Sequence, residues 1–72
     1  MFYVLELQTN QTGSVLVFTY DNLPQAESKF YAILSSAAVS SVRKHGAIIL
    51  NEDGMMLKHE VFNHTVQEPS EA

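Results

Sequence analysis

Residues 22–40, NLPQAESKFYAILSSAAVS, form the part of the chain with helical periodicity. The apolar residues of this stretch recur at steps of three and four, which places them on one side of an α-helix: Leu23, Ala26, Phe30, Ile33, Leu34 and Ala37. Asn22 can cap the N-terminus, and Pro24 falls in the first turn, where no amide donor is needed. The stretch predicts one amphipathic helix that begins after Asn22 and ends between Ser36 and Ser40.

Both flanks of this helix are typical of β-strands. Residues 2–9 alternate between two sets of side chains, and residues 14–20 are rich in β-branched and aromatic types. Beyond the helix, a short apolar run at 47–50 is followed by an extended run from 55 to about 64. Turn residues separate the members of each pair, and the second turn ends in Asp53-Gly54, a pair suited to a positive φ. The pattern predicts two hairpins.

The order of elements is therefore ββαββ. We predict an α+β fold in which a four-stranded, mainly antiparallel sheet carries the helix on one face, as a single domain over residues 1–64. The last eight residues, TVQEPSEA, are acidic and contain Pro69, which predicts a disordered tail over 65–72. The strand order stays open, as does the side of the second and third strands that faces the helix.

One helix covers only one face of a sheet, so the other face needs a second cover. Met55, Leu57 and Val61 share one side of the last strand with His59, and we expect this side to face the helix. The uncovered face would then carry large apolar side chains, which usually mark a contact surface: Phe2, Val4, Met56 and Phe62. We predict that these four residues mediate self-association.

The length of the chain favours the same conclusion. Burying the apolar surface of 72 residues contributes about 105 kcal/mol, against about 108 kcal/mol for ordering the chain. The chain has no cysteine, so it has no disulfide or thiolate metal site to stabilise it, and this composition fits the cytoplasm. Association with another copy, or with another protein, is the remaining source of stability.

Charge and hydropathy disfavour two other kinds of partner. Eight acidic residues against four Lys and Arg give a formal charge of −4, which repels nucleic acid. Arg43 and Lys44, beside His45, form the one basic cluster, and we expect it to respond to the C-terminal end of the helix dipole. The sequence lacks a positively charged start followed by an apolar run, and it lacks an apolar stretch of membrane-spanning length. We therefore expect neither a signal peptide nor a membrane helix.

The sequence provides no strong catalytic motif. His59-Glu60-Val61-Phe62-Asn63-His64 is one residue longer than the zinc-protease pattern, and its histidines would point to opposite faces of a strand. A small metal-dependent hydrolase is therefore a distant alternative. We predict no enzyme activity, no catalytic residue, no cofactor and no metal site.

Four segments carry a resemblance to known proteins: MFYVLELQTN, VFTY, YAILSSAAVS and HGAIILNEDGMMLKHEVFNH. Together, over residues 1–64, they resemble a group of small uncharacterised proteins of gut Gram-positive bacteria and their prophages. The resemblance implies intracellular expression and a phage-associated role, and it brings no activity with it. The leading prediction is a non-enzymatic interaction or structural protein that acts as a homodimer or small assembly subunit. The alternative is a nucleic-acid-associated regulator that uses Arg43 and Lys44.

Overall fold

The computed structural model describes residues 1–64, and the predicted tail at 65–72 lies outside the described residues. The elements in chain order are β1 (Phe2–Thr9), β2 (Gly13–Tyr20), α1 (Leu23–Ala37), β3 (Lys44–Asn51) and β4 (Met56–Asn63). All strand pairs are antiparallel, in the order β2-β1-β3-β4, and α1 packs on one face of the sheet. The predicted ββαββ fold is confirmed.

The helix begins and ends where the sequence predicts. The Asn22 side chain accepts a hydrogen bond from the Gln25 amide at 3.0 Å, which satisfies one free donor of the first turn. The last helical residue is Ala37. Ala26, Phe30 and Ile33 are buried on the predicted apolar side and form the core together with Val4, Ala47 and Ile49 of the sheet.

Asparagine side chains organise both hairpin loops. Asn10, in the loop between β1 and β2, accepts a hydrogen bond from the Arg43 amide at 2.8 Å and so ties this loop to the start of β3. In the second loop, the Asn51 side chain accepts from the amides of Asp53 at 2.9 Å and Met55 at 3.0 Å. Gly54 has a φ of 80°, so the predicted positive φ is confirmed.

The prediction of which sheet side faces the helix is wrong. Val4 is fully buried in the core beneath α1, and Phe2 packs against that core. Phe62 lies opposite the buried His45, two residues along β3 from the core residue Ala47, which places it on the helix side as well. Of the four residues predicted for the uncovered face, Met56 alone belongs there, because it pairs with Leu50. Met55, Leu57, Val61 and His59 were expected beneath the helix. Val61 and His59 lie instead on the uncovered side by register, and Leu57 precedes Lys58, which is on the helix side, so strand alternation places Leu57 on the uncovered side as well.

Glu6 is the physical reason for the reversal. A carboxylate on the same side of β1 as Val4 suggests that this side meets water. In the structure, Glu6 Oε2 accepts a hydrogen bond from His45 Nε2 at 2.6 Å and another from Gln8 Nε2 at 3.0 Å. A carboxylate with such partners tolerates partial burial. The β1–β3 register that brings His45 beside Glu6 comes from the tertiary fold.

Candidate functional site

The side of the sheet away from α1 is an almost continuous apolar surface, which we call the open face. The strand register, with alternation for the unpaired Leu57, places ten apolar side chains there: Tyr3, Leu5 and Leu7 of β1, Val15 and Val17 of β2, Ile48 and Leu50 of β3, and Met56, Leu57 and Val61 of β4. Val17 is 59% exposed and Met56 is 57% exposed, so water contacts much of this surface. Large apolar patches of this kind usually mark contact sites.

A β-bulge enlarges the open face at β4. Ile49 pairs with Lys58, whereas the next residue, Leu50, pairs with Met56, so Leu57 is the extra residue. At a bulge two residues oppose one on the partner strand. Met56 and Leu57 therefore both add apolar surface opposite Leu50.

A hollow lies in the same face at Gly46. Leu7, Thr9, Lys44 and Val61 surround this hollow, which has a volume of about 160 Å³. Cavities of about 150 Å³ accept a group of the size of benzene. The hollow can therefore receive one branched aliphatic or aromatic side chain from a molecule that packs on the open face.

Few polar groups interrupt the open face. By register, Lys44 lies at one end of β3, and His59 lies opposite Ile48 on the outer strand β4. The acidic residues of β1 and β4, Glu6 and Glu60, lie across from Ala47 on the helix side. The central strands therefore present no acidic side chain to the open face.

A buried polar cluster lies on the helix side of the sheet. Its members are His45, Glu6 and Gln8, and the side chains of His45 and Glu6 are 7% and 14% exposed. His45 Nδ1 is buried without a hydrogen-bond partner in the described part of the chain. The cluster has little contact with solvent, and its hydrogen bonds satisfy the charge of Glu6, so it supports the fold.

The predicted basic cluster does not form a patch. Arg43 precedes β3 in the loop, Lys44 begins β3 on the open-face side, and His45 is buried on the opposite side. The expected contact with the helix end is made by another residue, since His64 Nε2 donates to the Ala37 carbonyl at 2.8 Å. Strand alternation places Lys44 and His45 on opposite sides of the sheet. The sequence-based prediction did not include this separation because it began the third strand at residue 47.

His59 and His64 also lie in different environments. His59 pairs with Ile48 on the open-face side, whereas His64 contacts the helix end. Within residues 1–64, no three His, Asp or Glu side chains come together in a group that could hold a metal ion. Among the same residues, no helix is long and apolar enough to cross a membrane.

The open face is thus the most distinctive surface of the described chain. No protein-family model, curated protein sequence or solved structure matches this chain.

Proposed function

We propose that the protein is a non-enzymatic interaction protein that self-associates by packing the open faces of two copies against each other. The observation that carries the proposal is the exposure of the open face, with Val15, Val17 and Met56 each more than half exposed. The proposal keeps the homodimer predicted from the sequence and changes the residues that form its contact. The phage-associated role implied by the resemblance stays a prediction.

The size of the open face suits a dimer contact. Strands of eight residues, about 3.3 Å per residue and about 4.8 Å apart, give four strands a face on the order of 500 Å². Two such faces in contact remove on the order of 1,000 Å² from water, which is the lower end of the area expected of a biological interface. The hollow above Gly46 offers a socket for a side chain of the partner.

The charge distribution favours a second copy as the occupant. A face without acidic groups at its centre can pack on itself about a two-fold axis without like charges meeting, and such an interface is self-complementary. Nucleic acid would require several cations around the face, whereas Lys44 is the one Lys or Arg that the register places there in residues 1–64. Self-association therefore fits the face better than nucleic-acid binding.

The test is the mass of the protein in solution, measured by sedimentation equilibrium at micromolar concentrations. Leu5→Glu places a charge at the centre of the open face, between Val17 and Ile48, and should weaken the association by about tenfold or more. Leu57→Glu, at a side chain that is 41% exposed, is a second variant with less risk to folding. Val39→Glu is the matched control, because Val39 is 86% exposed and lies outside the sheet.

Circular dichroism establishes that each variant is folded. A wild-type protein that is well folded and monomeric at high micromolar concentration would remove the proposal. Equal weakening by Val39→Glu and Leu5→Glu would show that added negative charge, and not the open face, controls the association.

A further inference from the structure

The two edges of the sheet differ in how well they are protected against pairing with another strand. The order β2-β1-β3-β4 leaves β2 and β4 with one unpaired side each. An edge strand presents free amide and carbonyl groups to any other strand, and natural proteins blunt such edges with charges, bulges and proline. A further strand is therefore expected to pair with the less protected of the two edges.

The β4 edge has two of these protections. Lys58, His59 and Glu60 occupy its middle, and the bulge at Leu57 interrupts its regular pairing. Lys58 is also engaged with the helix, because its Nζ lies 3.8 Å from Glu27 Oε2. A strand that approached β4 would have to desolvate these charged groups beside an irregular backbone.

The β2 edge has none of them. Its sequence, GSVLVFTY, contains no charged residue and no proline, and it pairs with β1 over eight consecutive residues without a bulge. Residues 13–17 are all exposed, and Leu16, on the helix side by register, is 48% exposed. Further along the strand, Lys29 Nζ covers the Phe18 ring at 4.1 Å from its centroid. The unprotected segment is therefore 13–17.

We propose that residues 13–17 of β2 pair antiparallel with the same residues of a second copy, so that two four-stranded sheets join into one of eight strands. An uncharged strand fits this partner, since no like charges face each other in any register of the pair. The two-fold axis of such a pair is perpendicular to the sheet, which keeps both helices on one side and both open faces on the other.

This contact rests on the backbone of β2 and is distinct from the open-face contact proposed above. The two contacts are compatible in one particle, because their two-fold axes can be perpendicular. Two eight-stranded sheets would then pack open face to open face, with two helices on each outer surface. The combination gives a closed tetramer with three two-fold axes, a common symmetry of soluble oligomers.

The test separates the two contacts by their variants. Leu16→Lys adds a charge to the β2 edge on the helix side, away from the open face. In the proposed pairing Val15 lies at the two-fold axis, so each new lysine faces Ser14 of the second copy and lies diagonally across the axis from the other lysine. This substitution should weaken the edge contact by about tenfold or more. Ser14→Lys, at an exposed side chain on the same side, is a second edge variant. Val39→Lys is the charge-matched control outside the sheet.

Sedimentation equilibrium should give a tetramer for the wild type, a dimer for Leu16→Lys, a dimer for Leu5→Glu and a monomer for the double variant. A wild-type dimer that Leu16→Lys leaves intact and Leu5→Glu dissociates would overturn the edge contact and leave the open-face contact standing. A wild-type dimer that Leu5→Glu leaves intact and Leu16→Lys dissociates would overturn the open-face contact and leave the edge contact standing.

Amide hydrogen exchange provides a readout specific to the backbone. As the protein concentration rises, those amides of residues 13–17 that point away from β1 should exchange more slowly, whereas the outward amides of β4 should not change. Equal exchange of the β2 amides in associated and dissociated protein would exclude strand pairing at this edge, whatever the measured mass.

Discussion

At the scale of the residue, Gly46 occupies the closest approach between β3 and β4. A Cβ atom at this position would lie 2.7 Å from the Val61 Cα and would also collide with the Glu60 carbonyl oxygen. Both neighbours belong to the backbone of β4, so neither can move without opening the strand pair. Gly46 also lines the hollow in the open face.

Gly46→Ala should therefore destabilise the fold by about 1–3 kcal/mol or more, as overpacking does. Gly13→Ala is the matched control, since the nearest atom to its added Cβ is Thr9 Oγ1 at 3.9 Å. Urea unfolding of both variants measures the difference. If the two substitutions lower the free energy of unfolding equally, the close approach of β3 and β4 at Gly46 would be contradicted.

Substitutions at Gly54 test backbone strain without a steric contact. Its φ of 80° is costly for other residues, yet no atom lies within 4 Å of an added Cβ. Gly54→Val should lower the free energy of unfolding by about 1 kcal/mol or more through backbone strain. Gly54→Asn should cost less, because asparagine tolerates a positive φ. A stability ranking with valine above asparagine would contradict the conformation of this turn.

At the scale of the element, Phe30 is the largest of the α1 side chains buried against the sheet. Phe30 is 3% exposed and belongs to the core cluster with Val4 and Ile49. Phe30→Ala should cost about 3–5 kcal/mol, which approaches the whole stability of a small domain. Ser28→Ala, on the exposed side of the helix, is the control. An unchanged thermal midpoint for Phe30→Ala would mean that another side of α1 faces the sheet.

The helix also contacts β4 through Lys58. The Tyr31 side chain, whose ring centroid lies 5.7 Å from Lys58 Nζ, is the main cause of a raised Lys58 pKa, through hydrogen bonding and then through the charge of its phenolate. Glu27 adds a smaller attraction. A raised pKa in the folded state stabilises the fold below the pKa of the unfolded state, and this contribution is lost as the pH rises through the folded-state pKa.

Tyr31→Phe should therefore lower the Lys58 pKa towards its ordinary value of 10.5, as measured by NMR titration of the side chain. Glu27→Gln should lower the Lys58 pKa less than Tyr31→Phe does. A larger decrease of the Lys58 pKa in Glu27→Gln than in Tyr31→Phe would show that the Glu27 carboxylate raises this pKa more than Tyr31 does.

At the scale of the whole molecule, stability and association should be coupled. A chain of 72 residues forms a small core, so contacts between copies add a substantial share of the folding free energy. The thermal midpoint of the wild type should therefore rise with protein concentration. Leu5→Glu should weaken this dependence, whereas Val39→Glu should preserve it. A wild-type midpoint that is independent of concentration would separate folding from association.

Local signals in the sequence determined the elements of this protein. The cap at Asn22, the apolar spacing through Phe30 and the turn at Gly54 each act within a few residues, and the structure has the helix and this turn as predicted. The first strand has its predicted bounds as well. The start of β3 at Lys44 was missed because residues 44–46 carry no strand signal and become a strand by pairing with β1.

Only the tertiary structure decided which side of the sheet is open. Both sides of β1 are rich in apolar residues, so alternation alone could not distinguish the side of Val4 from that of Leu5. The choice depends on contacts across strands: His45 satisfies Glu6, and Val4 and Ala47 lie beneath the helix. The sequence determined that one apolar face would remain uncovered, because one helix covers one face. The residues of that face followed from the register between strands, which long-range pairing sets.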